Sequence, residues 1–250
     1  MPFNLKILKL VNPSSVSHIG ITGGEPTLKL DDLRTVLRFC KERFQTSTIS
    51  LLTNGKRFDD LEFTRSIAEI DHPGLVYCVS LYSDIDTEHD RTVGIPGSFR
   101  QTVKGLHNLA LFRQRVEIRT VVFRTNFQRL PSMAEFIYRN FPFVVHVAFM
   151  GMECMGLARA NLDQVWIDPT EYALELKTAV LHLNRRAIPV SIYNLPLCLI
   201  PHEVWRFSKN AISTWKNIYL DQCEDCKIRA KCGGFFSTSV KQSDHIKPLL

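Results

Sequence analysis

Two groups of residues in this chain have types and spacing suited to chemistry. The first is Cys198, Cys223, Cys226 and Cys232, with intervening gaps of 24, two and five residues. A Cys-x2-Cys pair presents both sulfurs on one side of a short loop, and two further thiolates complete a four-sulfur set for zinc or an iron–sulfur cluster. Gly233 and Gly234 follow directly and permit the tight backbone such a pocket needs. A thioredoxin-like redox role for Cys223 and Cys226 is disfavoured, because that pair normally follows an early strand and opens a helix. The second group is Gly23-Gly24-Glu25-Pro26. Paired glycines at a strand end let a ligand approach the backbone, and the carboxylate of Glu25 can accept hydrogen bonds from an amine or hydroxyl. The same four residues also suit a plain tight turn ahead of a helix.

The elements that must position these residues follow from periodicity. Short β-branched and aromatic runs alternate with helix-period segments up to about Arg186, the signature of repeated βα units on a parallel sheet. Strands are expected over 18–22, 48–52, 76–81, 116–122, 144–150 and 188–193, and helices over 30–44, 58–70, 98–112, 131–140 and 169–186. In the first helix Leu30, Leu33, Val36, Leu37 and Cys40 form one apolar face, with Asp31 and Asp32 at its positive end. Ligands of β/α folds bind at the carboxyl ends of the strands, where the glycine turn falls. A Trp- and Phe-bearing amphipathic stretch then leads into the cysteine-rich tail. The expected organisation is a β/α barrel segment over 1–186, a cysteine-rich extension over 187–236 and a polar tail over 237–250.

Composition excludes several classes. With 250 residues, 45% hydrophobic and 22% charged, the chain can bury a substantial core and is not a disordered sequence. No apolar run approaches the roughly 18 residues of a membrane span, and the stretch 141–152 is broken by His146. Lys6 and Lys9 fall where a signal peptide would need its apolar core, so a cytoplasmic location with reduced thiols is expected. The net charge of +6 is scattered, without the aromatic-interleaved basic stripe that nucleic-acid binding would ask for. Cys40 and Cys78 fall on core faces and read as inert thiols; Cys154, in a strand-end loop, is either a substrate contact or a buried bystander.

The string ITGGEPTL, followed by LLTNG and then VSLYS, resembles the radical S-adenosylmethionine superfamily. The segments HDRTVGIPGSFRQTVKGLHNL, FMGMECMGLARAN, YNLPLCLIP and TWKNIYLDQCEDCKIRAKCGGFF narrow this to the maturases of His-Xaa-Ser peptide systems, the HxsC type. The resemblance implies an α/β fold, a partial (β/α) barrel with a small cysteine-rich C-terminal extension. It also implies S-adenosylmethionine as cofactor. Gly23, Gly24, Glu25 and Pro26 would surround its methionyl ammonium, Asn54 and Ser80 its ribose or methionyl groups, and Arg119 its carboxylate, through a bidentate guanidinium contact. Cys198, Cys223, Cys226 and Cys232 would then hold an auxiliary [4Fe–4S] cluster, with zinc as the alternative. The implied partners are a ribosomally made substrate peptide and a companion maturase, with no nucleic acid and no membrane.

One family feature is missing. The cluster that cleaves the cofactor takes three thiolates, usually Cys-x3-Cys-x2-Cys after the first strand, and this chain has no cysteine before Cys40. The chain therefore cannot ligate that cluster, and the expectation is a maturase lacking its first βα unit and inactive alone, with residues 18–22 as an exposed sheet edge. A non-catalytic peptide-binding partner and a zinc-stabilised structural module stand as the other readings.

Overall fold

The computed structural model describes residues 3–210 and 216–249. Helix α1 (Phe3–Leu10) leads to strand β1 (His18–Ile21), then α2 (Leu30–Arg43), β2 (Thr48–Thr53), α3 (Leu61–Ala68) and β3 (Leu75–Ser80). Two helices, α4 (Asp86–Val93) and α5 (Ser98–Leu111), precede β4 (Val116–Val121), which is followed by α6 (Leu130–Asn140) and β5 (His146–Met150). Short α7 (Gly156–Ala160) and α8 (Leu162–Val165) come before α9 (Ala173–Arg185), β6 (Val190–Tyr193) and the two-residue β7 (Ser208–Lys209). A separate antiparallel pair, β8 (Asn217–Ile218) and β9 (Phe235–Phe236), lies within the cysteine-rich region. Strands β1 to β7 follow chain order in their sheet, and the pairs β1–β2, β2–β3, β5–β6 and β6–β7 are parallel. Strand β1 stands at one end of the described strand order, and its residues are only partly covered.

The chain divides into two compact units, one formed by 1–81, 85–118 and 143–145, the other by 82–84, 119–142 and 146–250. In the first, all of β3 up to Val79 is buried, the continuous apolar pattern of a strand covered on both faces. Leu33, Leu37 and Cys40 of α2 face inward, with acidic residues in the first turn and basic ones in the last. Phe58 anchors the core, edge-on to Phe63 and Tyr77 at 5.3 Å from each.

The turn after β2 is held by α5. Thr102 Oγ1 donates to the Asn54 carbonyl at 3.0 Å, and Asn108 Nδ2 donates to the Phe58 carbonyl at 2.8 Å. Gly105 lets the helix backbone abut this turn, since a Cβ there would collide with the Gly55 carbonyl. Gly55 is equally constrained, at φ 78° and with Val79 Cγ1 2.7 Å from where a Cβ would lie.

In the second unit α6 packs against α9, and Arg129 makes a bidentate pair with Asp84, at 2.7 and 2.6 Å. The helix expected over 169–186 opens as a 3-10 turn, Pro169–Tyr172, because Asp168 and Glu171 form a capping box there. The helix expected over 58–70 likewise splits, with Asp60 accepting from the Glu62 and Phe63 amides to start α3. Helix α4 escaped the sequence pattern because only His89 of its eight residues is buried, leaving no apolar stripe to read. The amphipathic stretch resolves into a 3-10 helix, His202–Phe207, and β7, and its residues 211–215 lie outside the described residues.

Gly105→Ala is expected to destabilise the protein by about 1–3 kcal/mol through overpacking against an immobile backbone oxygen. Gly20→Ala, at a position where an added Cβ would meet no atom within 4 Å, should shift stability by less than about 1 kcal/mol. Urea unfolding midpoints of the two variants check the contrast.

Candidate functional site

The glycine turn leaves β1 and enters a 3-10 turn, Pro26–Leu28, whose N-cap is Glu25. Glu25 Oε1 accepts from the Thr27 amide at 3.1 Å, from Thr27 Oγ1 at 2.7 Å and from Thr53 Oγ1 at 2.7 Å. Its other oxygen, Oε2, accepts from the Asn54 amide at 2.7 Å. Thr53 in turn accepts from the Gly55 amide at 3.1 Å. One carboxylate thus ties the end of β1 to the end of β2. A carboxylate offers about four acceptor positions shared between two oxygens. Oε1 is fully used, and Oε2 has capacity for one more donor.

Ahead of this carboxylate the chain leaves space. Gly23 and Gly24 are exposed, and a Cβ built on Gly20, Gly23 or Gly24 would meet no atom within 4 Å. Among the described residues, no backbone group pairs with the amide or carbonyl of Gly23 or Gly24. These groups and Oε2 suit a ligand that brings an ammonium or hydroxyl together with hydrogen-bonding groups of its own, and the set fits the methionyl end of S-adenosylmethionine.

The other expected contacts divide. Asn54 stands at the end of β2 and Ser80 ends β3, in adjacent positions, since Thr53 registers with Val79. Gly23, Gly24, Glu25, Pro26, Asn54 and Ser80 therefore share the carboxyl ends of three parallel strands in the first unit. Asn54 Oδ1 is occupied by the Lys56 amide at 3.0 Å, which leaves its NH2 group for a ligand. Arg119 belongs to the second unit, on the same face of β4 as Glu117 and Val121. Thr53 and Thr27, both buried, are the residues that sequence reading passed over. Their signal was present in the ITGGEPTL and LLTNG strings, as a hydroxyl beside each motif residue.

The four late cysteines come together in the second unit. Cys198, Cys223, Cys226 and Cys232 line one cavity, with Tyr219, Arg229 and Lys247 among its other walls. Burial raises the thiol pKa of Cys198 and of Cys232, partly opposed by hydrogen bonds from the Lys247 amide to Cys198 and from the Leu197 and Gly234 amides to Cys232. The Leu197 amide lies 3.4 Å from Cys232 Sγ. Among the described residues, no three His, Cys, Asp or Glu side chains are arranged to hold a metal ion as they stand. The donor set fits a thiophilic centre; the sulfur positions would have to close around it. Residues after Phe236 pack on this region, with Ile246 buried and the Leu249 carbonyl accepting from the Lys227 amide at 3.0 Å. Of the remaining thiols, Cys40 and Cys78 are buried in the first unit, and Cys154 is a buried wall residue of another cavity.

No family model matches the chain. It is 28% identical over 116 residues to the Fe-coproporphyrin III synthase of Methanosarcina barkeri, a match covering 46% of this chain and 27% of that protein. Among solved structures it superposes on anSMEcpe with bound AdoMet and Kp18Cys peptide, with a TM-score of 0.55 and 16% identity over 77% of this chain and 55% of the other. A domain of the pyruvate-formate lyase-activating enzyme of Bacteroides vulgatus gives a TM-score of 0.53 at 15% identity, over 70% of this chain and 97% of that one. A radical SAM methyltransferase from Sphaerobacter thermophilus gives 0.51 at 15% identity, over 70% and 50%. The fold is that of radical S-adenosylmethionine enzymes. It is an α/β fold of the partial-barrel class. The chain spans about a quarter of the curated relative and about half of the peptide-bound structure. No described helix is long and apolar enough to cross a membrane.

Burial pushes the Cys40 thiol up from its usual 9.0 to about 11. The neutral thiol is therefore favoured by folding, and the associated stability is complete below about pH 9 and lost as the pH rises toward 11. Cys40→Ala should remove a pH-dependent loss on the order of 1–2 kcal/mol between those limits. Comparing urea midpoints of native and variant protein at pH 8 and pH 10.5 tests this.

Proposed function

We propose that this chain serves a radical S-adenosylmethionine peptide maturase of the His-Xaa-Ser type, binding the cofactor and a ribosomally made peptide, with a companion maturase as partner. The observation that carries the reading is Glu25, a carboxylate fixed by four hydrogen bonds beside an open glycine turn, with acceptor capacity left on Oε2. The peptide-bound anSMEcpe structure supports the substrate class. When bound, the cofactor supplies hydrogen-atom abstraction from carbon.

The chain's own residues hold and orient. Glu25 Oε2 accepts from the methionyl ammonium while Thr27 and Thr53 keep the carboxylate from rotating. Gly23 and Gly24 offer backbone amides and carbonyls that no other backbone group among the described residues occupies, and Pro26 fixes the entry to the 3-10 turn. The Asn54 NH2 group and the Ser80 hydroxyl supply polar contacts at neighbouring strand ends. Cys40 and Cys78, the first unit's cysteines, are buried in its core and offer no thiolate to a cofactor-cleaving cluster. Cleavage is accordingly not assigned to this chain alone.

Cys198, Cys223, Cys226 and Cys232 are assigned to an auxiliary [4Fe–4S] cluster. Zinc is the second reading, favoured by the same four-sulfur composition. Anaerobic reconstitution with iron and sulfide should give about four irons per chain and a charge-transfer absorbance that Cys226→Ser abolishes. Stoichiometric zinc that iron does not displace would assign the cavity to zinc instead. For the cofactor, equilibrium dialysis should show binding of S-adenosylmethionine that Glu25→Gln weakens about tenfold, with a lowered melting temperature but a native circular-dichroism spectrum. Equal binding by the variant would overturn the assignment of Glu25.

A further inference from the structure

The segment 243–249 reads as part of a polar tail in sequence, yet it packs on the cysteine site. Its start is fixed by Ser243, which is buried, hydrogen-bonds the Asp168 carboxylate and accepts from the His245 amide at 3.1 Å. Ile246 is also buried, and with Leu199 and Phe235 it forms a small apolar core on which Cys198 and Cys223 pack. Lys247 and Leu249 then line the cavity that the four cysteines share.

These contacts fall on the residues adjoining the thiols. Ile246 packs with Leu199, the residue after Cys198. Its carbonyl accepts from Nε2 of Gln222, the residue before Cys223, at 3.2 Å. The Leu249 carbonyl accepts from the amide of Lys227, the residue after Cys226, at 3.0 Å. The Lys247 amide donates to Cys198 itself. Cys232 is held differently: its Sγ accepts from the Leu197 amide at 3.4 Å, and its carbonyl from the Tyr219 hydroxyl at 2.8 Å. The sulfurs therefore form two pairs. Cys198 and Cys232 are joined through Leu197, and Cys223 and Cys226 through their own turn, in which the Cys226 amide donates to the Cys223 carbonyl at 3.3 Å. Segment 243–249 bridges the two pairs.

The thiols must draw together before they can hold a metal, so the element that spans the pairs has leverage on that step. We propose that segment 243–249 is a positioning element of the four-cysteine metal site, holding the Cys223–Cys226 turn against Cys198 and Cys232. The proposal rests on the reading of these cysteines as one metal site, and it is the same for zinc and for an iron–sulfur cluster. Contacts that orient ligands from outside the metal's own shell are commonly worth about 10–100-fold in metal affinity. Linkage then requires the metal to favour the docked segment by the factor with which the docked segment favours the metal.

The probe is cobalt(II), added anaerobically to the full chain, because its thiolate charge-transfer band grows with the number of sulfurs bound. One equivalent should bind and slow hydrogen exchange of the amides in 244–249 about tenfold or more, with exchange in α5 of the first unit unchanged. Ile246→Asp sets a carboxylate where the apolar contact was. It should keep a native circular-dichroism spectrum, bind cobalt(II) about tenfold or more weakly, and show a charge-transfer band reduced toward that of two thiolates. If that variant loses the native spectrum, Gln222→Ala decides instead: it removes one hydrogen bond of an exposed side chain and should weaken binding about two- to tenfold. Native affinity and a full band in the deciding variant, even at a lowered melting temperature, would mark a purely structural contact and overturn the proposal. Unchanged exchange in 244–249, or slowing shared equally by α5, would overturn it too. Failure of the full chain to bind cobalt(II) would instead remove the metal reading on which the proposal rests, and the proposal with it.

Discussion

The carboxylate of Glu25 is the interaction on which the first unit's strand ends depend. Strand β1 is short and is soon followed by two exposed glycines, so little besides hydrogen bonding can fix where its turn goes. Glu25 reaches across to Thr53 and Asn54 and supplies that fixing. The far side of the link is itself braced, because α5 grips the turn after β2 through Thr102, Gly105 and Asn108. Rigidity passes from the buried helix face to the β2 turn, from that turn to Glu25, and from Glu25 to the glycines. Charge-assisted hydrogen bonds are roughly twice as strong as neutral ones, so a carboxylate suits this role better than an amide would.

In the second unit the organising constraint is covalent continuity after β9. Phe235 lines both cavities, and the chain beyond it supplies Lys241 and Ser243 to one cavity and Lys247 and Leu249 to the other. A single short segment, anchored by Thr238, Ser243 and Ile246, therefore determines the shape of two adjoining spaces. Pro196 belongs to both linings as well, and the amide of the next residue, Leu197, points at Cys232 Sγ. Any movement of the thiols toward a common centre acts on walls that the second cavity shares.

Much of the architecture was legible because it is written in local periodicity. Strands 48–52 and 116–122 and helices 30–44, 98–112 and 131–140 appear within two residues of expectation, each carrying an apolar face of the right period. The parallel order followed from strand and helix alternation. What escaped was set by contacts distant in sequence. Helix α4 has no stripe to read, β7 is two residues long, and the segment 237–249 looks polar in sequence while burying Ser243 and Ile246. Glu25 was legible as a site residue, and its partners Thr27 and Thr53 stood beside the motif residues, but a threonine hydroxyl shows its role only once the acceptor is placed.

A residue that holds the fold and also receives a ligand faces a conflict if the two tasks compete for the same atoms. Glu25 separates them. The three bonds that orient the carboxylate, from Thr27 and Thr53, converge on Oε1, whereas Oε2 carries only the Asn54 amide. A ligand ammonium can therefore add to Oε2 without displacing the donors that keep the turn in place. The alternative, a carboxylate free in the absence of ligand, would lose rotamer freedom on every binding event and would leave the turn after β1 unsupported between events. Fixing the group beforehand moves that cost into folding, where the same four hydrogen bonds offset it.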